Sequence, residues 1–239
     1  MSVTILGKEY DIATTTKLIL SYKNLTEIPE SIIMLTNLEV LDLSNNNLTS
    51  LSESIGSLSN LKTLYLSYNN LTSLPESIRS LSNLQELNLT NNNLTSLPES
   101  IGSLSNLKLL RLSYNKLTSL SESIGSLSNL KLLRLSRNNL TSLPESIGSL
   151  PNLKYLYLYD NKLTSLPESI KTLIETKDLE LNESSYEINN LSMDCHTLIL
   201  TSIENNITNL PPLLKTLYLK SDIDVDMIKL PYGCDIIKF

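Results

Sequence analysis

The chain is poor in the residues that carry most chemistry. In 239 residues it has no tryptophan, one phenylalanine, one histidine and two cysteines. A core without these aromatics must be aliphatic. The lone His196 is expected to point to solvent, and its neighbour Cys195 lacks the further ligands of a zinc site. Four of the six glycines, Gly56, Gly102, Gly125 and Gly148, recur at one position of a repeat, so no phosphate-cradling loop is present. Neither a cofactor, a metal nor a catalytic residue is expected, and an independent enzyme is excluded. No apolar run approaches the roughly 18 residues of a membrane span. The N-terminus has no basic start followed by an apolar stretch, and a soluble, intracellular, cytoplasmic protein is expected. Reduced cysteines fit that compartment, with Cys195 and Cys234 unpaired.

The formal charge is −6, but it is uneven. Residues 1–175 carry 14 Lys and Arg against 15 Asp and Glu, whereas residues 176–239 carry 5 against 10. Nothing is basic enough to suggest nonspecific nucleic-acid binding.

What the chain does have is a repeat. The pattern L-x-x-L-x-L-x-x-N-x-L-T-S-L-x-E-S-I-x-x-L returns every 23 residues at Leu38, Leu61, Leu84, Leu107, Leu130 and Leu153, after a looser copy at Thr15. In the copy at Leu84, Leu87 and Leu89 flank Asn88, which is the alternation of a short strand. The seven apolar positions per unit are too many for one 23-residue loop to enclose, so units must stack to bury them. After each strand comes one of Asn46, Asn69, Asn92, Asn115, Asn138 and Asn161. An inward amide there supplies both donors and an acceptor to backbone groups that have lost their sheet partners, so this column is expected to be a structural ladder. The segment Leu-Pro-Glu-Ser-Ile-Gly-Ser-Leu places Pro at a first helical position and Glu in the first turn, predicting a short helix or 3₁₀ turn.

These residues resemble the leucine-rich repeat family, whose LxxLxLxxNxL core recurs here in near-perfect form. The extended LTSLPESIGSLSNL is similar to the 23-residue subclass of intracellular, Ras-group-like and plant intracellular members. The resemblance implies an α/β fold: a curved solenoid with a parallel sheet on its concave face and short helices or 3₁₀ turns on its convex face. Extracellular members commonly staple their ends with cysteine-rich caps, and this chain has no N-terminal cysteine.

Three regions are expected. Residues 1–14 form a hairpin cap turning at Gly7-Lys8, residues 15–175 form seven regular repeats, and residues 176–239 form degenerate repeats and a C-terminal cap. In the last region strand cores at Thr197–Leu200 and Thr216–Leu219 are 19 residues apart, and the end is apolar at Ile236, Ile237 and Phe239. The stretch LPPLLKTLYLKSDIDVDMIKLPYGC is similar to FNIP-type repeats, without their naming motif.

Function should lie where copies differ. The Glu column from Glu30 to Glu168 is periodic and reads as a solvated helix start, with an acidic docking strip as the alternative. Nine N-x-S/T sequons occur, five of them the same N-L-T of the repeat, and they read as by-products of repetition. The outward strand positions are more informative. Tyr65, Tyr68, Leu109, Arg111, Tyr114, Leu132, Arg134, Arg137, Tyr155, Tyr157 and Tyr159 would form a concave patch of residue types favoured at protein interfaces. Glu39, Asp42 and Glu86 flank it on one side and Asp160, Asp178 and Glu180 on the other. The expected function is a noncatalytic protein–protein interaction module binding an acidic or mixed-charge protein surface. The alternatives are a glycosylated extracellular recognition domain and the substrate-recognition part of a ubiquitin-ligase or phosphatase complex.

Overall fold

The computed structural model describes residues 1–158, 161–163, 167–170, 180–181, 197–200, 210, 216–219 and 224–238. Its first element is an antiparallel hairpin of β1 (Ser2–Ile5) and β2 (Lys8–Asp11). The turn is Leu6-Gly7, one residue earlier than the sequence suggests, with both residues at positive φ (50° and 76°). Two left-handed residues match the twist of the flanking strands, which is why two-residue hairpin loops favour that geometry. Val3 and Ile5 point into the core, while the hairpin remains a separate two-stranded sheet. It therefore covers the first coil with side chains rather than by pairing with the sheet edge.

The body is one parallel sheet lining the concave face. Its strands are β3 (Lys17–Ile19), β4 (Val40–Asp42), β5 (Thr63–Tyr65), β6 (Glu86–Asn88), β7 (Leu109–Arg111), β8 (Leu132–Arg134), β9 (Tyr155–Tyr157) and β10 (Glu180–Leu181). They lie in sequence order, each hydrogen-bonded to the next. From β3 to β9 the register repeats the sequence period, with Leu18, Leu41, Leu64, Leu87, Leu110, Leu133 and Leu156 in one buried row. The period breaks at β10, where Glu180 pairs with Tyr155 and Leu181 with Leu156. Glu180 thus joins the Tyr155 column and not, as its spacing suggests, the Tyr157 column.

On the convex side each coil makes one five-residue 3₁₀ turn: Glu30–Met34, Glu53–Ser57, Glu76–Ser80, Glu99–Ser103, Glu122–Ser126 and Glu145–Ser149. Pro29, Pro75, Pro98 and Pro144 cap these turns with extended ψ instead of opening them, so Glu is the first helical residue. Where Ser replaces Pro, Ser52 and Ser121 accept from the backbone N–H of Ser54 and Ser123. The convex turns pack closely at the four recurrent glycines, whereas Ile33 and Arg79 hold the same position in the first and third turns. A Cβ on Gly125 would stand 2.5 Å from Ser146 Cβ, and one on Gly102 would stand 2.5 Å from Ser123 O.

The C-terminal part adds a strand that the repeat pattern leaves out. β11 (Thr197–Leu200), β12 (Thr216–Leu219) and β13 (Asp235–Lys238) form a second parallel sheet in that order. Thr197 pairs with Thr216 and Thr216 with Asp235, so the 19-residue spacing runs twice. Ile236 and Ile237, expected in a terminal cap, are strand residues.

Candidate functional site

The asparagine column makes the same contacts in every coil. Asn92 Nδ2 donates to Leu66 O (2.9 Å) in the preceding coil and to Leu89 O (3.1 Å) in its own, while Oδ1 accepts from Leu71 N (3.0 Å). Asn46, Asn69, Asn115, Asn138 and Asn161 repeat the set. Each amide stitches two coils: its Oδ1 satisfies a backbone N–H, and its Nδ2 donates to carbonyls that successive amides share, as Leu66 O accepts from both Asn69 and Asn92.

Two further ladders escaped sequence reading. Asn37, Asn60, Asn83, Asn106, Asn129 and Asn152 each donate from Nδ2 to a backbone carbonyl 24 residues earlier, at 2.8–3.0 Å. The Glu column is also used. Glu53, Glu122 and Glu145 accept from the backbone N–H of Ser77, Ser146 and Ser169 in the following coil. Hydrogen bonding from Ser77 holds the Glu53 carboxyl below its usual pKa, and Ser146 does the same for Glu122. These glutamates are ties between coils rather than a free acidic strip. Periodicity alone could not separate the two readings, because both require the same spacing.

The patch residues fall into aligned columns. Leu109, Leu132 and Tyr155 pair across β7, β8 and β9, and Arg111, Arg134 and Tyr157 form the parallel column two residues on. Arg134 lies over the Tyr157 ring and Arg137 over the Tyr114 ring, each at 4.8 Å from the centroid. Such stacking fixes long side chains in a preformed surface. Tyr65 lies two strands from Arg111, and Glu86 joins them: its carboxylate accepts from Tyr65 Oη (3.3 Å) and pairs with Arg111. Burial, then the Glu86 charge, pushes the Tyr65 phenol up. Tyr159, Asp160 and Asp178 lie outside the described residues, as do the side chain of Glu180 and all of Cys195 and His196.

The acidic flank on the N-terminal side is consumed internally. Glu39 pairs with Lys62 (2.7 Å), Asp42 accepts from Ser44 N (2.9 Å), and Glu86 is held as above. A mixed-charge face thereby becomes, over β7 to β9, a basic one.

One column carries a conformational signature. Tyr22, Asn45, Tyr68, Asn91, Tyr114 and Arg137 all have φ between 55° and 57°. At Asn45, Tyr68, Asn91, Tyr114 and Arg137 the left-handed residue immediately precedes a ladder asparagine, and Tyr22 keeps the same turn ahead of Lys23. The left-handed residue's own N–H bonds to the next coil, as in Tyr68 N to Thr90 O (2.9 Å). Asparagine suits this conformation and a bulky side chain does not. Asn45 and Asn91 follow that preference. Tyr22, Tyr68 and Tyr114 oppose it while remaining 75%, 57% and 40% exposed.

A cleft of about 360 Å³ opens on the convex side between the first two turns, lined by Glu27, Ile28, Glu30, Ile33, Ser52 and Ile55 among others. Ile33 occupies the position filled by Gly56 in the next coil, where even a Cβ would stand 2.8 Å from Ser77 O. Among the described residues no cluster of His, Cys, Asp or Glu could hold a metal, and no helix is long and apolar enough to cross a membrane.

Comparison with known proteins agrees with this architecture. A family model described as a leucine-rich repeat region matches residues 17–98, 52–130 and 96–199. No curated protein matches the chain. Among solved structures, a leucine-rich repeat protein of Leptospira interrogans is 33% identical with a TM-score of 0.66, over 89% of this chain and 59% of that one. The leucine-rich repeat domain of the type III effector XopL is 27% identical (TM-score 0.61), over 93% of this chain and 76% of that one. The functional domain of InlJ from Listeria monocytogenes shares the fold at 23% identity (TM-score 0.60), over 93% of this chain and 54% of that one. This chain therefore spans less than two thirds of the Leptospira protein and of the InlJ domain. The 23-residue period, the asparagine ladder, the parallel sheet and the matched model lead to one conclusion: the chain belongs to the leucine-rich repeat family, as a non-enzymatic interaction module.

Proposed function

We propose that the chain captures a protein partner on the concave face of β5 to β9, through Tyr65, Tyr68, Leu109, Arg111, Tyr114, Leu132, Arg134, Arg137, Tyr155, Tyr157 and Tyr159. The observation that carries this reading is the left-handed column: exposed tyrosines stand at Tyr68 and Tyr114, where asparagine would be the less strained residue. Strained positions that persist against local preference concentrate at functional sites. Stacked Arg134–Tyr157 and Arg137–Tyr114 pairs add preorganised contact area of the kind that dominates interface energetics. An acidic partner surface fits the cationic columns of β7 to β9. In this reading the chain is an intracellular member of the 23-residue, Ras-group-like subclass.

The test is affinity capture from the native cell with the full chain and with a variant carrying Arg111→Ala, Arg134→Ala and Tyr157→Ala. Circular dichroism should be unchanged and specific partners should be lost. An identical capture profile from a folded variant overturns the proposal.

A further inference from the structure

We infer that the occupant of this face is an acidic amphipathic α-helix lying across β7, β8 and β9, with its apolar stripe on Leu109, Leu132 and Tyr155. This rests on the concave-face reading above and adds the chemical class and conformation of the ligand.

Charge is the first argument. Residues 107–158 contain seven lysines and arginines and two acidic residues, in a chain whose formal charge is −6. Both acids, Glu122 and Glu145, open convex 3₁₀ turns and are tied to Ser146 and Ser169. Among the described residues, no acidic side chain of 107–158 reaches the concave side, and Glu86 of the neighbouring strand is committed to Arg111 and Tyr65. The side-chain ammonium groups of Lys131 and Lys154 have no hydrogen-bond or ion-pair partner among the described residues.

Arrangement is the second. The column Leu109, Leu132, Tyr155 is half-buried and apolar. Lys108, Lys131 and Lys154 run along one side of it, each just before its strand, and along the other stand Arg134 and Arg111, the latter already paired with Glu86. An apolar stripe between two cationic stripes is the complement of an amphipathic helix whose apolar face is bordered by Glu or Asp on both sides. A nucleic-acid strand would call for aromatic platforms in the central column, on which bases stack, and two of its three residues are leucines.

Spacing is the third. Hydrogen-bonded strands lie about 4.8 Å apart, so three coils present their central residues over about 9.6 Å. A helix crossing the strands offers one residue per turn, every 5.4 Å or so, and spans about 10.8 Å over the same three contacts. An extended peptide offers same-face residues about 6.7 Å apart and spans about 13.4 Å. The helix stays in register with the coils and the strand does not.

The probe is a capped synthetic peptide of about five helical turns, with one leucine per turn and glutamates flanking that stripe. It is titrated into the full chain and followed by fluorescence anisotropy and circular dichroism. Saturable binding with a gain of helicity is expected, weakening at least about tenfold as ionic strength rises from about 0.05 to 0.3 M. Leu132→Glu, and Lys131→Glu with Lys154→Glu, should each weaken binding at least about tenfold, whereas Lys8→Glu on the hairpin should leave it unchanged. The inference is overturned by absence of binding at low salt, or by equal binding of a version with a central proline. Tighter binding of single-stranded oligonucleotide, or displacement of the peptide by self-association of the chain, also overturns it. If the peptide fails while the alanine variant still loses its native partners, the helical ligand is wrong and the concave-face reading stands. If both fail, that reading falls as well.

Discussion

Arg111 and Glu86 form an ion pair across β7 and β6, with side chains only 26% and 20% exposed. The pair sits at the boundary between the neutralised coils before it and the cationic coils after it. Replacing Glu86 with Gln removes the charge that holds Arg111 and leaves Tyr65 a neutral amide oxygen in place of the carboxylate. The expected cost is about 1–2 kcal/mol of stability, between a surface pair and a buried one. A freed Arg111 should bind an acidic ligand more tightly. Urea melts and peptide titration check both signs, and weaker binding by a folded variant would place Arg111 outside the site.

The left-handed column separates stability from function. Tyr68→Asn should stabilise the chain by about 1 kcal/mol by relieving backbone strain at φ 56°, and should weaken partner capture. A variant that loses stability would show that the ring is retained for packing. Tyr114→Asn should gain less, since it also gives up the stacking with Arg137.

The two asparagine ladders differ in what surrounds them. Asn92→Ala strands the buried Leu71 N–H and takes one of two amide donors from each of Leu66 O and Leu89 O, which keep Asn69 and Asn115, and should cost about 2 kcal/mol. Asn106→Ala loses one exposed bond to Ser82 O, and water replaces it, so the expected cost is about 0.5–1 kcal/mol. Equal losses in denaturant titrations would contradict this ranking.

Gly125→Ala places a Cβ 2.5 Å from Ser146 Cβ and 2.6 Å from Ser146 O. Two convex turns must then part, at about 1–3 kcal/mol. A thermal melt that matches the parent would show that the turns yield freely.

The glutamate ties make stability acid-sensitive. The carboxyls of Glu53 and Glu122 titrate lower in the folded chain than in the unfolded one, chiefly because Ser77 and Ser146 donate to them. The unfolded chain therefore binds more protons near pH 4, and stability falls as pH drops from the ordinary glutamate pKa of about 4.3 through the lower folded values. Glu53→Gln with Glu122→Gln should flatten this acid limb by lowering stability above about pH 6, where the ionised carboxylates contribute, while leaving the acid end little changed. Melting temperature measured against pH is the check.

Much of the fold was legible because the repeat is written in the chain. Seven apolar positions per 23 residues cannot be enclosed by one coil, so stacking, strand placement and an inward asparagine follow from hydrophobic burial and hydrogen-bond satisfaction alone. Leu87, Leu89 and Asn92 announce their roles by period and residue type. Other features depend on which atoms meet across a seam, and no single copy contains that information. Glu53 reads as a solvated helix start until the next coil places Ser77 N at 2.9 Å. Glu86 reads as an acidic flank until Arg111 closes on it. Tyr68 reads as one more outward side chain until its φ shows what keeping it requires. Glu180 changes column because the register slips by two residues between β9 and β10. The sequence by itself determined the solenoid, since burial is a property of residue type and spacing. Only the tertiary structure decided where its charge is free, because an ion pair between coils depends on register and on the reach of two particular side chains.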